Sequence, residues 1–205
     1  MPEIDNWVYG AHGTDIDKLR AATADEIVHG RVVFSGSMLY PPNVQAVLWF
    51  VAKCWPIIRT QMPEAEFIVQ GRDPVKEIRD LHGQKGITVT GTVPDVGAII
   101  RSASVCINPV LAAGGMQNKL LEYMACEKAT VTTFVANEGI QAPDDVILLA
   151  DAPADFANGV LRLLSDPIRC AEIGRKARKY VLDQWTWEAH FLKLESEFYR
   201  ALQCP

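Results

Sequence analysis

The chain has 205 residues, 20 Lys and Arg against 25 Asp and Glu for a net charge of −5, and 49% apolar side chains. That balance excludes a disordered tail, a collagen-like repeat and a coiled coil, and it supplies a core for one domain without staples. The acidic surplus argues against nucleic acid as a partner, since binders of duplexes present basic surfaces.

The chain opens on an acidic and polar stretch, Met1 to Asn6, without the basic, apolar pattern of a secretory leader. Residues 1–30 carry little periodic apolar pattern and read as a linker segment. Beyond them, short β-branched runs alternate with longer helical patterns. Strands are predicted at Val32–Ser35, Glu66–Gln70, Ile87–Thr90, Val105–Asn108, Ala129–Thr133 and Val146–Leu149. Several are continuous apolar runs, as strands buried on both faces of a parallel sheet must be. From Asn43, the residues Val44, Val47, Leu48, Val51 and Trp55 fall on one helical stripe, which Pro56 is expected to kink or split. Further helices are predicted at Val75–Leu81, Val96–Ala103, Gln117–Glu127, Ala154–Leu164, Ile168–Gln184 and Trp187–Leu202.

This alternation predicts an α/β fold, a doubly wound, mostly parallel, six-stranded Rossmann-like sheet built from right-handed βαβ units. The domain spans 31–185, and the helix over 186–205 packs on it or reaches out of it. Cys54, Cys106, Cys126, Cys170 and Cys204 form no C-x-x-C pair, so a reducing compartment is expected, with no disulfide framework and no zinc site. The longest apolar stretch, Val44–Ala52, is too short to span a bilayer. A cytoplasmic protein is expected. The basic cluster Arg175, Lys176, Arg178 and Lys179 reads as a solvated helix face.

Ligands of open parallel sheets bind beyond the carboxyl ends of the strands, so three loops carry the functional weight. Ser35-Gly36-Ser37-Met38 is small enough for a phosphate or sugar to approach the backbone, or is simply a tight βα turn. It lacks the G-x-G-x-x-G spacing of a dinucleotide site. In Gln70-Gly71-Arg72-Asp73-Pro74, Arg72 either meets a phosphate or base, or pairs with Asp73. The third loop, Pro109 to Met116, leads into a helix bearing Lys119 and Glu122. Gly114 and Gly115 free several amides at a helix N-terminus, an anion-binding arrangement. Lys119 and Glu122 share a helix face, which suits a phosphate cation beside a ribose-binding carboxylate, or equally a surface ion pair. Asp15-Ile16-Asp17 spells D-x-D, but acids enriched at a helix N-terminus explain it more simply. His12, His29, His82 and His190 have no metal-ligand spacing, and Ser35 and Ser37 lack a G-x-S-x-G context.

The segment Gly114-Gly115-Met116-Gln117-Asn118-Lys119-Leu120-Leu121-Glu122-Tyr123-Met124-Ala125 resembles the nucleotide-sugar signature of family-4-type retaining GT-B glycosyltransferases. It is most similar to an exopolysaccharide-associated subgroup reading G-G-x-x-N-K-x-x-E-x-M-A. Gly36-Ser37-Met38-Leu39-Tyr40-Pro41-Pro42-Asn43 resembles that subgroup's first loop, and Gly91-Thr92-Val93-Pro94-Asp95-Val96 its base-contacting loop. His12-Gly13-Thr14-Asp15 is similar to the N-G-x-D that opens the second domain, with His12 for Asn.

The resemblance implies the donor-binding half of a GT-B fold, transferring sugar with retention from a nucleoside diphosphate sugar to a polysaccharide or lipid-linked acceptor. An acceptor-binding N-terminal domain, holding part of the catalytic machinery, would be its partner, and the half alone would not turn over. Peripheral membrane association of such a full-length enzyme is compatible with this. No metal or other cofactor is expected. By the family pattern Glu122 takes the ribose hydroxyls, the backbone at Val93 the base, and the amides of Gly115, Met116 and Gln117 the diphosphate and sugar, with Gly36 and Ser37 in the first loop. Two departures stand out. The first glutamate of the family's E-x7-E falls at Gly114, and the first loop lacks the diphosphate-gripping Arg and Lys, a charge that Lys119 and Arg72 would replace. The last helix is expected to present an apolar or ill-ordered surface toward the partner. The alternatives are a non-catalytic nucleotide-binding or interaction module, and an NADP-dependent oxidoreductase with Arg72 on the 2′-phosphate.

Overall fold

The computed structural model describes residues 13–112 and 115–203. Six strands form one sheet: β1 (Arg31–Ser35), β2 (Glu66–Gln70), β3 (Ile87–Gly91), β4 (Val105–Asn108), β5 (Thr130–Thr132) and β6 (Leu148–Leu149). Their spatial order is β3-β2-β1-β4-β5-β6, and every pairing is parallel, so the sheet is wholly rather than mostly parallel. β1 shows why. Successive side chains of a strand point to opposite faces. Val32 and Phe34 enter one buried cluster, and Val33 enters the other. A strand coated on both faces needs helices on both, which only crossover connections supply.

One layer comprises α1 (Pro41–Trp49), α2 (Trp55–Gln61) and α7 (Pro153–Ser165), whose Ala46, Val47, Trp55 and Phe156 pack beside Val32 and Phe34. The other includes α4 (Val96–Arg101), α5 (Asn118–Ala125) and α8 (Pro167–Gln184). There Ile100, Leu120, Leu121, Met124 and Val181 cover Val33 and Cys106. Short α3 (Lys76–Arg79) and α6 (Phe134–Asn137) and the terminal α9 (Trp187–Gln203) are the remaining α-helices among the described residues. The sequence shows no periodic signal for α6, because four residues are one turn.

The helix is split ahead of Pro56 as expected, and the split takes the form of a π segment. Between α1 and α2 the residues Phe50–Cys54 form a π-helical segment, and Pro56 stands in the first turn of α2. A π turn widens the ladder ahead of the proline, where its ring would otherwise meet the carbonyl four residues back and its missing N–H would break a bond. Other elements are shorter than their patterns: 76–79 against 75–81, 118–125 against 117–127, and 148–149 against 146–149.

Within the segment before β1, Thr14 bridges Thr186, and Glu26 binds Arg20 and the buried Arg101 of α4. Asp15-Ile16-Asp17 lies in a turn, not at a helix start. The Asp15 carboxylate accepts from the Lys18 backbone N–H at 3.2 Å, closing that turn locally. In the basic cluster, Lys176 and Lys179 pair at the surface with Asp145 and Asp183. Arg178 departs from the expected solvated face and turns inward to the carbonyls of Leu19 and Ala125. Cys54, Cys106 and Cys126 are buried, and Cys204 lies outside the described residues.

Candidate functional site

The strand order reverses between β1 and β4, which opens a crevice at their carboxyl ends. Loops after β1, β2, β3 and β4 meet there around a cleft of 620 Å3. Gly36, Ser37, Arg72, Val93, Met116, Gln117, Lys119 and Glu122 all line it. Gly115 is exposed in the same loop, with φ of +84°, a conformation that glycine alone adopts without strain. Gly114 lies outside the described residues, as does His12.

Two loops are locked together to make the floor. The Gly36 N–H donates to the Gln70 carbonyl at 3.0 Å, and Met38 N–H to the Arg72 carbonyl at 3.1 Å. A Cβ on Gly71 would stand 1.8 Å from the Gly36 carbonyl oxygen, so position 71 admits only glycine in this arrangement. From beneath, the buried Tyr123 hydroxyl accepts the Ser35 N–H at 2.7 Å and ties α5 to the end of β1. Burial holds that phenol well above its usual range. Arg72 is exposed at the cleft mouth and forms no ion pair with Asp73.

The leading feature is Lys119. Its ammonium donates to the Asn43 side-chain oxygen and sits 4.3 Å from the centre of the Phe34 ring. Burial draws its pKa down to about 7, against the attraction of Glu122, which favours the charged form. Lys119 is therefore a partly desolvated cation at a cleft wall and not a solvated helix-surface charge. Glu122 is half-buried on the same wall, one turn along α5. The periodicity of α5 separates this pair from the core-facing Leu120, Leu121, Tyr123 and Met124. A cation, a carboxylate and the amide-bearing loop before α5 thus converge on one opening, which suits an anion attached to a polyhydroxylated group.

Sequence reasoning missed Asn43, Tyr123 and Gly71. Each acts through tertiary contact with a loop distant in the chain, and no spacing rule reports such contacts. A second, larger groove of 1020 Å3 follows β6, α7 and α8, and none of the sequence-predicted residues line it. Among the described residues no cluster of three or more His, Cys, Asp or Glu side chains could hold a metal ion. No described helix is long and apolar enough to cross a membrane.

A doubly wound, all-parallel sheet with its cleft at the switch point defines the Rossmann-like class of α/β domain, whose ligands bind beyond the carboxyl ends of the strands. The sequence profile described as glycosyl transferases group 1 matches residues 29–166, and the chain belongs to that family. It is 21% identical over 175 residues to a 44.6 kDa protein of the Klebsiella pneumoniae cps region, covering 81% of this chain and 45% of that protein. It is 23% identical over 133 residues to a glycosyltransferase of Methanocaldococcus jannaschii, covering 62% of this chain and 33% of that one. The chain therefore spans less than half the length of these curated relatives. Among solved structures it is similar to sucrose-phosphate synthase of Thermosynechococcus elongatus, with TM-score 0.73, 22% identity, and 93% and 51% of the two chains covered. Anabaena HepE in complex with UDP gives TM-score 0.74 at 15% identity over 92% of this chain and 56% of that one. The C-terminal domain of Francisella tularensis LpcC gives 0.66 at 14% identity, over 85% of this chain and 100% of that domain. These likenesses give the chain the fold of one half of a GT-B enzyme.

Proposed function

We propose that the chain is the donor-binding half of a retaining glycosyltransferase that takes a sugar from a nucleoside diphosphate sugar for a polysaccharide or lipid-linked acceptor. The observation that carries the reading is the convergence of Lys119, Glu122 and the Met116–Gln117 loop on one cleft at the switch point. Lys119 and the amides before α5 meet the diphosphate, both in the ground state and as charge grows on it when the sugar departs. Preorganised charge of that kind is commonly the largest part of catalysis. Glu122 accepts from the ribose hydroxyls, the backbone at Val93 faces the base, and Arg72 at the mouth adds a second cation. No metal is needed for these tasks.

The relatives are more than twice as long as the matched region, so a second half bearing the acceptor site belongs to this reading. A cell-surface polysaccharide is favoured by the Klebsiella relative's place in a cps region, and UDP by the ligand named for Anabaena HepE. Calorimetry with UDP-glucose, GDP-mannose, ADP-glucose and NADPH tests the proposal. Binding of one nucleotide sugar in preference to NADPH is expected. Preference for NADPH, or no binding of any nucleotide sugar, overturns it.

A further inference from the structure

A buried amide meets a half-buried ammonium at the floor of the cleft. Asn43 belongs to the first turn of α1 and is only 5% exposed. Its Nδ2 donates to the Ser37 carbonyl at 2.9 Å, and its Oδ1 accepts from Lys119. Together the two bonds fix which way the amide faces. Turned over, it would set an NH2 against the ammonium and an oxygen against a carbonyl. Gly36 leaves room for the pair, because a Cβ there would lie 2.7 Å from Asn43 Nδ2 and 3.2 Å from Lys119 Nζ.

The direct partner of this ammonium is neutral, and that is the informative choice. A lysine serving only to join α5 to α1 would gain more from a carboxylate, whose opposite charge offsets desolvation. We propose that Asn43 is a positioning residue, whose amide oxygen aims the Lys119 ammonium along the cleft wall without neutralising it and so reserves its charge for a diphosphate. This rests on the reading of the cleft given above.

The groups that act on Lys119 are Asn43 of α1, the Phe34 ring of β1 and Glu122 on α5 itself, and Arg72 is the other cation lining the cleft. Burial outweighs Glu122 and brings the ammonium to about 7. An arriving diphosphate favours the charged form, so binding above that pH takes up a proton and weakens as pH rises.

The test combines lysine 13Cε NMR titration with calorimetry on the same proteins, using UDP-glucose, GDP-mannose and ADP-glucose as probes. The Lys119 signal is assigned by its loss in Lys119→Met. In Asn43→Asp, near-isosteric with the native side chain, the Lys119 midpoint is expected to rise by about one unit or more. Affinity for the bound probe at pH 6.5 should fall at least about tenfold, and its decline toward pH 8.5 should flatten. An unmoved midpoint overturns the pairing. A raised midpoint with undiminished affinity overturns the reserved charge. If Asn43→Asp fails to fold, Asn43→Ser removes the amide without adding charge. A loss of at least about threefold with the pH slope retained supports the proposal, and unchanged affinity overturns it. If wild type binds none of the probes, the cleft reading and the diphosphate role both fall, while the Asn43→Asp midpoint still decides whether the two side chains are coupled.

Discussion

Lys119 is where residue chemistry and proposed function meet most directly. Its folded-state pKa is near 7 against an ordinary value of 10.5, so the folded chain binds fewer protons than the unfolded chain between those limits. The sign follows: the cost of keeping this lysine charged is fully present below about 7 and is relieved as pH rises toward 10.5. Wild type should therefore gain thermal stability relative to Lys119→Met on going from pH 6.5 to pH 9.5, read from paired melting curves. The same substitution should weaken donor affinity at pH 6.5 by at least about tenfold, as expected for loss of a charged hydrogen bond. Unchanged affinity in calorimetry would remove Lys119 from the proposed site. Glu122→Ala should lower affinity for a nucleotide sugar by about tenfold and leave inorganic pyrophosphate binding intact, since the carboxylate is assigned to ribose and not to phosphate. Both side chains were legible in the sequence from their three-residue spacing. Asn43 was not, because its partner is 76 positions away and nothing local marks an amide as buried.

At the scale of elements, the Tyr123 hydroxyl adds a buried hydrogen bond to the apolar packing of α5 on β1. Tyr123→Phe leaves the Ser35 N–H without its acceptor in a buried setting and should cost about 1–3 kcal/mol in denaturant unfolding. The loop between β1 and α1 should lose order with it, seen as faster amide exchange at Gly36. Strand positions were legible because continuous β-branched runs bounded by turn residues have few other readings in a doubly wound fold. Helix ends were less so. Apolar periodicity continues through residues that the backbone has already turned away, as at Val75 and Leu81 around Lys76–Arg79. The π segment Phe50–Cys54 was invisible for a related reason. The sequence shows that Pro56 must be accommodated but not how, and the π segment that accommodates it seats Phe50 and Trp55 against Phe67, with Phe50 and Phe67 ring centres 4.9 Å apart.

Across the whole molecule, the contrast lies between a cleft assembled from four loops and a helix left uncovered. Along α9 the side chains of Phe191, Phe198 and Tyr199 are 60–64% exposed, beside Leu192 and Leu202. That is the apolar surface expected of the last helix. The chain should bind anilinonaphthalene sulfonate through this face. Phe198→Ser with Leu202→Ser should reduce the fluorescence severalfold while shifting stability by no more than about 0.5 kcal/mol, because both side chains lie mostly in solvent. The sequence by itself determined the class of fold, the strand succession and the Lys119–Glu122 face, since each follows from periodicity along one stretch of chain. Tertiary structure alone decided the strand order, the close passage of Gly71 against Gly36, and the neutral partner that Lys119 receives. Those depend on which distant segments come within a few ångströms of each other, and short-range pattern carries no record of that.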